Sequence, residues 1–214
     1  MLQRVFVAKK AALADTAQRL LREWREQLGL TSLADVQVWH RYTVDGVSEE
    51  LFARAMTTIF AEPPVDTWTE HLKIGPQETA FAVELLPGQY DQRADSAEQC
   101  LRLLDPSVDA RVAYATVYVV TGIKEPVDIV KLKEYVINPI EAREAAWEMP
   151  RELIAPAHQP QPVPVLDGFI SATRPELLAM LTRYGLAMDE ADLAVVQEYF
   201  RDQVDRDPTL TELR

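Results

Sequence analysis

Apolar positions along the chain fall into two alternating periods. Thr79, Phe81, Val83 and Leu85 recur every second residue, the period of a strand with one buried face. Pro87-Gly88 breaks that run, because proline lacks an N–H and glycine accepts positive φ. Asp91 is placed to cap a helix in which Ala94, Ala97, Cys100, Leu101 and Leu104 recur at helical spacing. Earlier in the chain, Val5-Phe6-Val7 reads as a short strand. Residues 11–28 read as a helix carrying Leu13, Ala17, Leu20, Leu21, Trp24 and Leu28, with Gly29 at its C-cap. Val36, Val38, His40 and Tyr42 alternate in a second strand. Ser48 can cap a helix through Leu51, Phe52, Ala55, Met56, Ile59 and Phe60, stopped by Pro63-Pro64. Residues 65–74 read as extended, and Gly75-Pro76 is a break.

The order after Gly75 matches the order before it. A strand over 111–122 is apolar or aromatic on both faces, as a central covered strand would be. Pro126 opens a helix through Ile129, Leu132, Tyr135 and Val136, and Pro139 closes it. Each half is strand, helix, strand, helix and a proline corner, at an offset of about 75 residues, which suits a duplicated small module rather than a solenoid. The expectation is an α+β fold of ferredoxin-like character over 1–149, an internal pseudo-dimer (repeats about 1–75 and 76–149) with one antiparallel sheet and its helices on one face. Residues 141–148 read as a short alanine-rich helix. The prolines at 150, 156, 160, 162 and 164 predict an extended connector over 150–164, with His158 exposed in it. Residues 165–214 predict a small helical domain. Thr173 and Glu176 form a capping box there, Gly185 ends that helix and Asp189 caps the next. Thr209 and Glu212 form another capping box, two residues before the end. A cap on a helix with no length to follow suggests a chain that continues beyond Arg214.

Composition narrows the chemistry. Acidic residues outnumber basic ones 34 to 22, for a net charge of −12, a field that repels nucleic acid. No apolar run approaches a membrane span, and the N-terminus lacks a signal peptide's apolar core, so the expected location is cytoplasmic. Cys100, the single cysteine, falls on the apolar face of its helix and reads as a buried structural thiol. His40 and His71 stand on separate extended segments without carboxylate or thiol partners at ligand spacing, so no metal site is expected. No Gly-x-Gly-x-x-Gly, Walker, Gly-x-Ser-x-Gly or His-Glu-x-x-His motif is present, and no catalytic residue is assigned. The loop Gln89, Tyr90, Asp91, Gln92 and Arg93 is polar for a connector. It reads either as a capped turn or as a surface for docking another domain.

Several separated stretches resemble one family. The run from Leu86-Pro87-Gly88-Gln89-Tyr90-Asp91-Gln92-Arg93 through Cys100 looks like the second repeat of the large, single-chain phosphoribosylformylglycinamidine synthases. Phe60-Ala61-Glu62-Pro63-Pro64-Val65-Asp66, Ile137-Asn138-Pro139-Ile140-Glu141 and Val165-Leu166-Asp167-Gly168-Phe169 are similar to it too. Tyr184-Gly185-Leu186-Ala187-Met188-Asp189 and Arg206-Asp207-Pro208-Thr209 resemble that family's helical linker domain. The resemblance implies a PurS-like N-terminal module, similar to a dimer of the small accessory subunit of split synthases, followed by the linker domain. The family's full enzyme makes formylglycinamidine ribonucleotide from formylglycinamide ribonucleotide, ATP and glutamine in purine biosynthesis. The implied partners are the synthetase and glutaminase domains, docked for ammonia channelling. The Mg-ATP site, the His-Cys-Arg-His type segment and the glutaminase residues would lie beyond Arg214, so this part alone is expected to be inactive and to hold no cofactor. Contact surface left uncovered would favour weak self-association. A free-standing accessory subunit or a small-ligand regulatory module is the alternative.

Overall fold

The computed structural model describes residues 2–153 and 162–214. The chain divides into two compact units, Met1–Ala155 and Pro156–Arg214. Most of the connector, with Pro156, His158 and Pro160, lies outside the described residues.

The first unit is α+β. Its strands are β1 (Gln3–Lys9), β2 (Asp35–Asp45), β3 (Asp66–Thr69), β4 (Glu78–Leu85), β5 (Arg111–Thr121) and β6 (Ala142–Glu144). Its helices are α1 (Asp15–Gln27), α2 (Glu49–Ala55), α3 (Gln92–Leu104) and α4 (Pro126–Val136). The strands form one six-stranded sheet in the order β3-β1-β2-β5-β4-β6, antiparallel throughout. The centre is the pairing of β2 with β5, in register from Asp35↔Thr121 to Asp45↔Arg111. Asp35 and Arg111 stand 76 positions apart, as do Asp45 and Thr121, so His40↔Thr116 is the midpoint of the ladder. The sheet order reads alike from either edge once that shift is applied.

Alternation sorts the side chains onto two faces. Even-numbered residues of β2 and β5 meet the helices. Val44, Val112 and Val5 pack with Phe52 of α2 and Leu101 of α3. Val36, Val120 and Phe81 pack with Trp24 of α1 and Leu132 of α4. The helices therefore stand as two pairs over the two ends of one face. On the other face Ala82, Ala115, Val117 and Val119 are buried, with Leu72, Ile74 and Ala145 packed against them. β5 is thus covered on one face over Ala115, Val117 and Val119 and on the helical face at its two ends, Val112 and Val120, while its middle is only half-buried there.

Local chemistry explains the boundaries. Ser48 accepts from the Leu51 N–H, and Asp91 accepts from the Arg93 and Ala94 N–H groups at 3.0 Å. Pro126 opens α4 inside a capping box made by Glu125 and Asp128. The predicted helix over 11–28 is broken at Ala14 into a 3-10 turn (Ala11–Leu13) and α1, which leaves Leu13 exposed.

Two expectations fail here. Residues 141–148 are not helical: β6 pairs with the open edge of β4, and Ala142 and Ala145 are buried against the sheet. Satisfying the backbone of an edge strand outweighs the modest helix preference of a few alanines. Cys100 is exposed rather than buried. The buried stripe of α3 runs Ala94, Ala97, Leu101, and Cys100 stands on its flank, one residue off the line that meets the sheet.

The second unit has its own core of Leu166, Phe169, Leu177, Leu186, Leu193, Phe200 and Leu213. Its helices are α5 (Arg174–Tyr184), α6 (Glu190–Tyr199) and α7 (Leu210–Leu213). The Thr209–Glu212 capping box does start a helical turn, and it carries Leu213 into that core. Arg206 pairs with Glu212 at 2.6 Å, and Val165 bridges Thr209. The cap thus has a local use within this unit. Among the described residues no helix is long and apolar enough to cross a membrane.

Gly46 and Gly122, also 76 apart, end β2 and β5 with φ of 76° and 95°. A Cβ on Gly46 would stand 2.4 Å from the Asp109 carbonyl oxygen, and one on Gly122 would stand 2.3 Å from that of Ser32. Gly46→Ala and Gly122→Ala should each lower stability by roughly 2–4 kcal/mol, from left-handed strain plus backbone overlap. Gly29→Ala, whose Cβ would meet open space, should cost only about 1 kcal/mol. Urea unfolding of the three variants checks the ranking.

Candidate functional site

Between the two helix pairs the helical face of the sheet is uncovered, and a cleft of about 1040 Å³ lies there. Its floor is the centre of the β2–β5 ladder, including His40, Tyr114, Thr116 and Tyr118. These residues have even numbers on paired strands, so antiparallel alternation brings them to one face. The first turn of α1, with Asp15 and Thr16, lines the cleft as well. So do Lys9 and Lys10 at the end of β1, and Arg93 at the start of α3.

The floor is hydrogen-bonded. The Tyr114 hydroxyl lies 2.7 Å from His40 Nδ1 and 2.9 Å from Thr116 Oγ1. The His40 and Tyr114 rings stack at 5.9 Å. Arg93 lies over the Tyr114 ring, 5.5 Å from its centroid, and donates to the Tyr42 hydroxyl at 3.5 Å. Lys9 pairs with Asp66 at 2.7 Å, and Lys10 donates to the Pro63 and Pro64 carbonyls. Among the described residues no carboxylate forms a salt bridge with Arg93.

Burial shifts the titrations. The His40 imidazole is pushed down to about 4, by desolvation first and then by Arg93 and Lys9, with Asp66 opposing. Burial lifts the Tyr114 phenol to about 12. Burial alone would raise Asp66, but the Lys9 hydrogen bond and the Glu62 N–H outweigh it and hold that carboxyl below its usual range. At neutral pH the floor is therefore a neutral imidazole beside a neutral phenol.

The side chains of the loop at 89–93 take different surroundings. Gly88 takes φ of 92°, and Tyr90 is 71% exposed, its hydroxyl donating to Asp95 at 2.8 Å. Gln89 and Gln92 are exposed, and Asp91 is occupied as the α3 cap. Arg93 is exposed as well, but its guanidinium lies over the Tyr114 ring of the sheet. Tyr114 and Thr116 were missed as site residues because their only signal is parity, and parity becomes a site only when the β2–β5 register is known. Among the described residues no group of three or more His, Cys, Asp or Glu could hold a metal ion.

The opposite face carries a second polar device that the sequence does not announce. Arg41, only 5% exposed, donates to the Ala146 carbonyl at 2.7 Å. Arg4 donates to Thr43 Oγ1 and to the Trp147 carbonyl, and Trp147 stacks on Phe6. Burial first, then Arg4, pulls the Arg41 guanidinium down to about 10. The two arginines hold the segment after β6 across the sheet. The sequence matches no protein-family model, and no curated protein matches it.

Unfolded, His40 takes its proton near pH 6.5; folded, it does so only near 4. Between those values the unfolded chain binds more protons, so this contribution is fully present above about pH 6.5 and is lost as pH falls towards 4. The loss amounts to about 3 kcal/mol at most. His40→Gln should flatten the stability profile in that window, measured as the difference between the two proteins' urea midpoints. Parallel profiles would show that His40 titrates normally.

Proposed function

We propose that this chain is a non-catalytic assembly module, one that holds other domains together rather than reacting with substrate. Its particular assignment is the PurS-like and linker part at the N-terminus of a large phosphoribosylformylglycinamidine synthase. The observation that carries the reading is the 76-residue correspondence between the two halves of the sheet. β1, β2 and β3 of the first half take the places of β4, β5 and β6 in the second, with the same antiparallel partners. Gly46 and Gly122 match at the same shift, and so do Pro63 and Pro139 at the corners. We read this as an internal duplication, two small subunits fused and paired through β2 and β5. The separate helical unit then corresponds to the linker domain.

In this role the chain has no turnover of its own. Mg, ATP and the glutaminase nucleophile belong to domains outside it, and its work in the cytoplasm is to keep glutaminase seated on synthetase so that ammonia is not lost to water. The exposed Tyr90 and its neighbours Gln89 and Gln92 are the docking candidates, since they are free of the sheet. The test supplies this chain to synthetase and glutaminase domains that lack it. Glutamine-dependent formation of the amidine should be restored, while ammonia-dependent formation stays unchanged. Tyr90→Ala should weaken the restoration by roughly tenfold, the scale of one aromatic interface anchor. No restoration by the unaltered chain, or glutaminase turnover by the chain alone, would overturn the assignment.

A further inference from the structure

The cleft over the β2–β5 ladder contains chemistry that an assembly role does not use. Its floor is a connected set of polar side chains rather than a greasy gap between helices. Thr116 Oγ1, the Tyr114 hydroxyl and His40 Nδ1 form one hydrogen-bonded chain, which fixes three ring and hydroxyl orientations in an open space. Tyr114 has a single proton, and Thr116 can supply another. With Thr116 donating to Tyr114 and Tyr114 to His40 Nδ1, the neutral imidazole carries its own proton on Nε2, as a donor. Arg93, itself exposed, stands above this floor; among the described residues its guanidinium lies over the Tyr114 ring and makes one long bond to Tyr42.

Charge sets the kind of ligand. The chain as a whole is strongly acidic, yet this cleft is lined by Lys9, Lys10 and Arg93. Lys9 is neutralised by Asp66, whereas Lys10, tied to two neutral carbonyls, and Arg93, whose charge Asp91 favours from nearby, form no salt bridge among the described residues. The carboxylates that line the cleft, Asp15 and Asp35, are exposed and screened by water. The volume is that of a site for a molecule of nucleotide size, not for a bare ion.

We propose that this cleft binds a small organic anion, whose phosphate or carboxylate pairs with Arg93 while its other polar groups meet the Thr116–Tyr114–His40 floor. A guanidinium presents parallel N–H groups that match either oxyanion in a bidentate fashion. The aromatic floor suits a flat carrier. Binding here does not depend on the assembly reading, whose test reads product formation, so either can fail without the other.

The experiment is a titration of the full chain followed by amide NMR, using AMP, citrate and adenosine as probes. Saturable shifts at Arg93, Tyr114 and Thr116 are expected with AMP, with citrate or with both, and not with adenosine. AMP alone identifies a phosphate site, and citrate alone a carboxylate site. Arg93→Gln should weaken binding by about tenfold or more, the value of one charged hydrogen-bonded pair, with Arg93→Lys in between. Thermal unfolding of both variants verifies that they remain folded, since Arg93 also covers the Tyr114 ring. The proposal is overturned if neither anion gives saturable shifts, if adenosine binds as AMP does, or if folded Arg93→Gln binds as tightly as the unaltered chain.

Discussion

The pairing of β2 with β5 is the constraint on which the first unit depends. Two eleven-residue strands meet along their whole length, each with its outer edge taken by a shorter strand. The ladder places Val36 and Val120 under one helix pair and Val44 and Val112 under the other. A slip of one residue would turn all of these to the wrong face, so both cores hold the register as firmly as the hydrogen bonds do. The symmetry of the pairing also produces the cleft. β1 and β4 border opposite ends of the central strands, each helix pair settles over one end, and the midpoint at His40 and Thr116 is left between them.

That midpoint is where the sheet carries polar side chains on a face otherwise filled with aliphatic and aromatic ones. Placing an imidazole and a phenol at the centre of a sheet has a desolvation cost, visible in the low His40 and high Tyr114 titrations. The hydrogen bond between them offsets part of it, while Arg93 opposes the rise at Tyr114 and deepens the fall at His40. Tyr114 also packs against the core under α2 and α3, its ring 5.3 Å from that of Tyr42, so the polar floor is joined to that core. The opposite face solves a different problem. There Arg41 and Arg4 answer the carbonyls of residues 146–148, so a strand of irregular backbone can cover an apolar sheet.

Most of the fold is legible in the sequence because its elements are bounded by strong local signals. Ser48, Asp91, Pro126, Thr173, Gly185 and Asp189 all act at the ends where their chemistry predicts. The failures share one cause, which is tertiary context. The alanines around β6 favour a helix locally, whereas the strand that pairs them, ending at Leu85, lies far back in the chain. At Cys100, helical spacing alone does not tell the centre of an apolar stripe from its exposed edge. The loop at 89–93 is visible as a polar stretch, but the difference between Tyr90, clear of the sheet, and Arg93, over the Tyr114 ring, follows from where α3 lands on β5. The cleft could not be read at all without the register that joins residues 40 and 116.

The assembly assignment rests on the chain belonging to a larger enzyme, and the most direct measurement is the gene sequence downstream of the Arg214 codon. The account predicts an open frame that soon encodes a His-Cys-Arg-His type segment and then synthetase and glutaminase domains. A stop codon directly after Arg214, with no such domains encoded in frame, would contradict it.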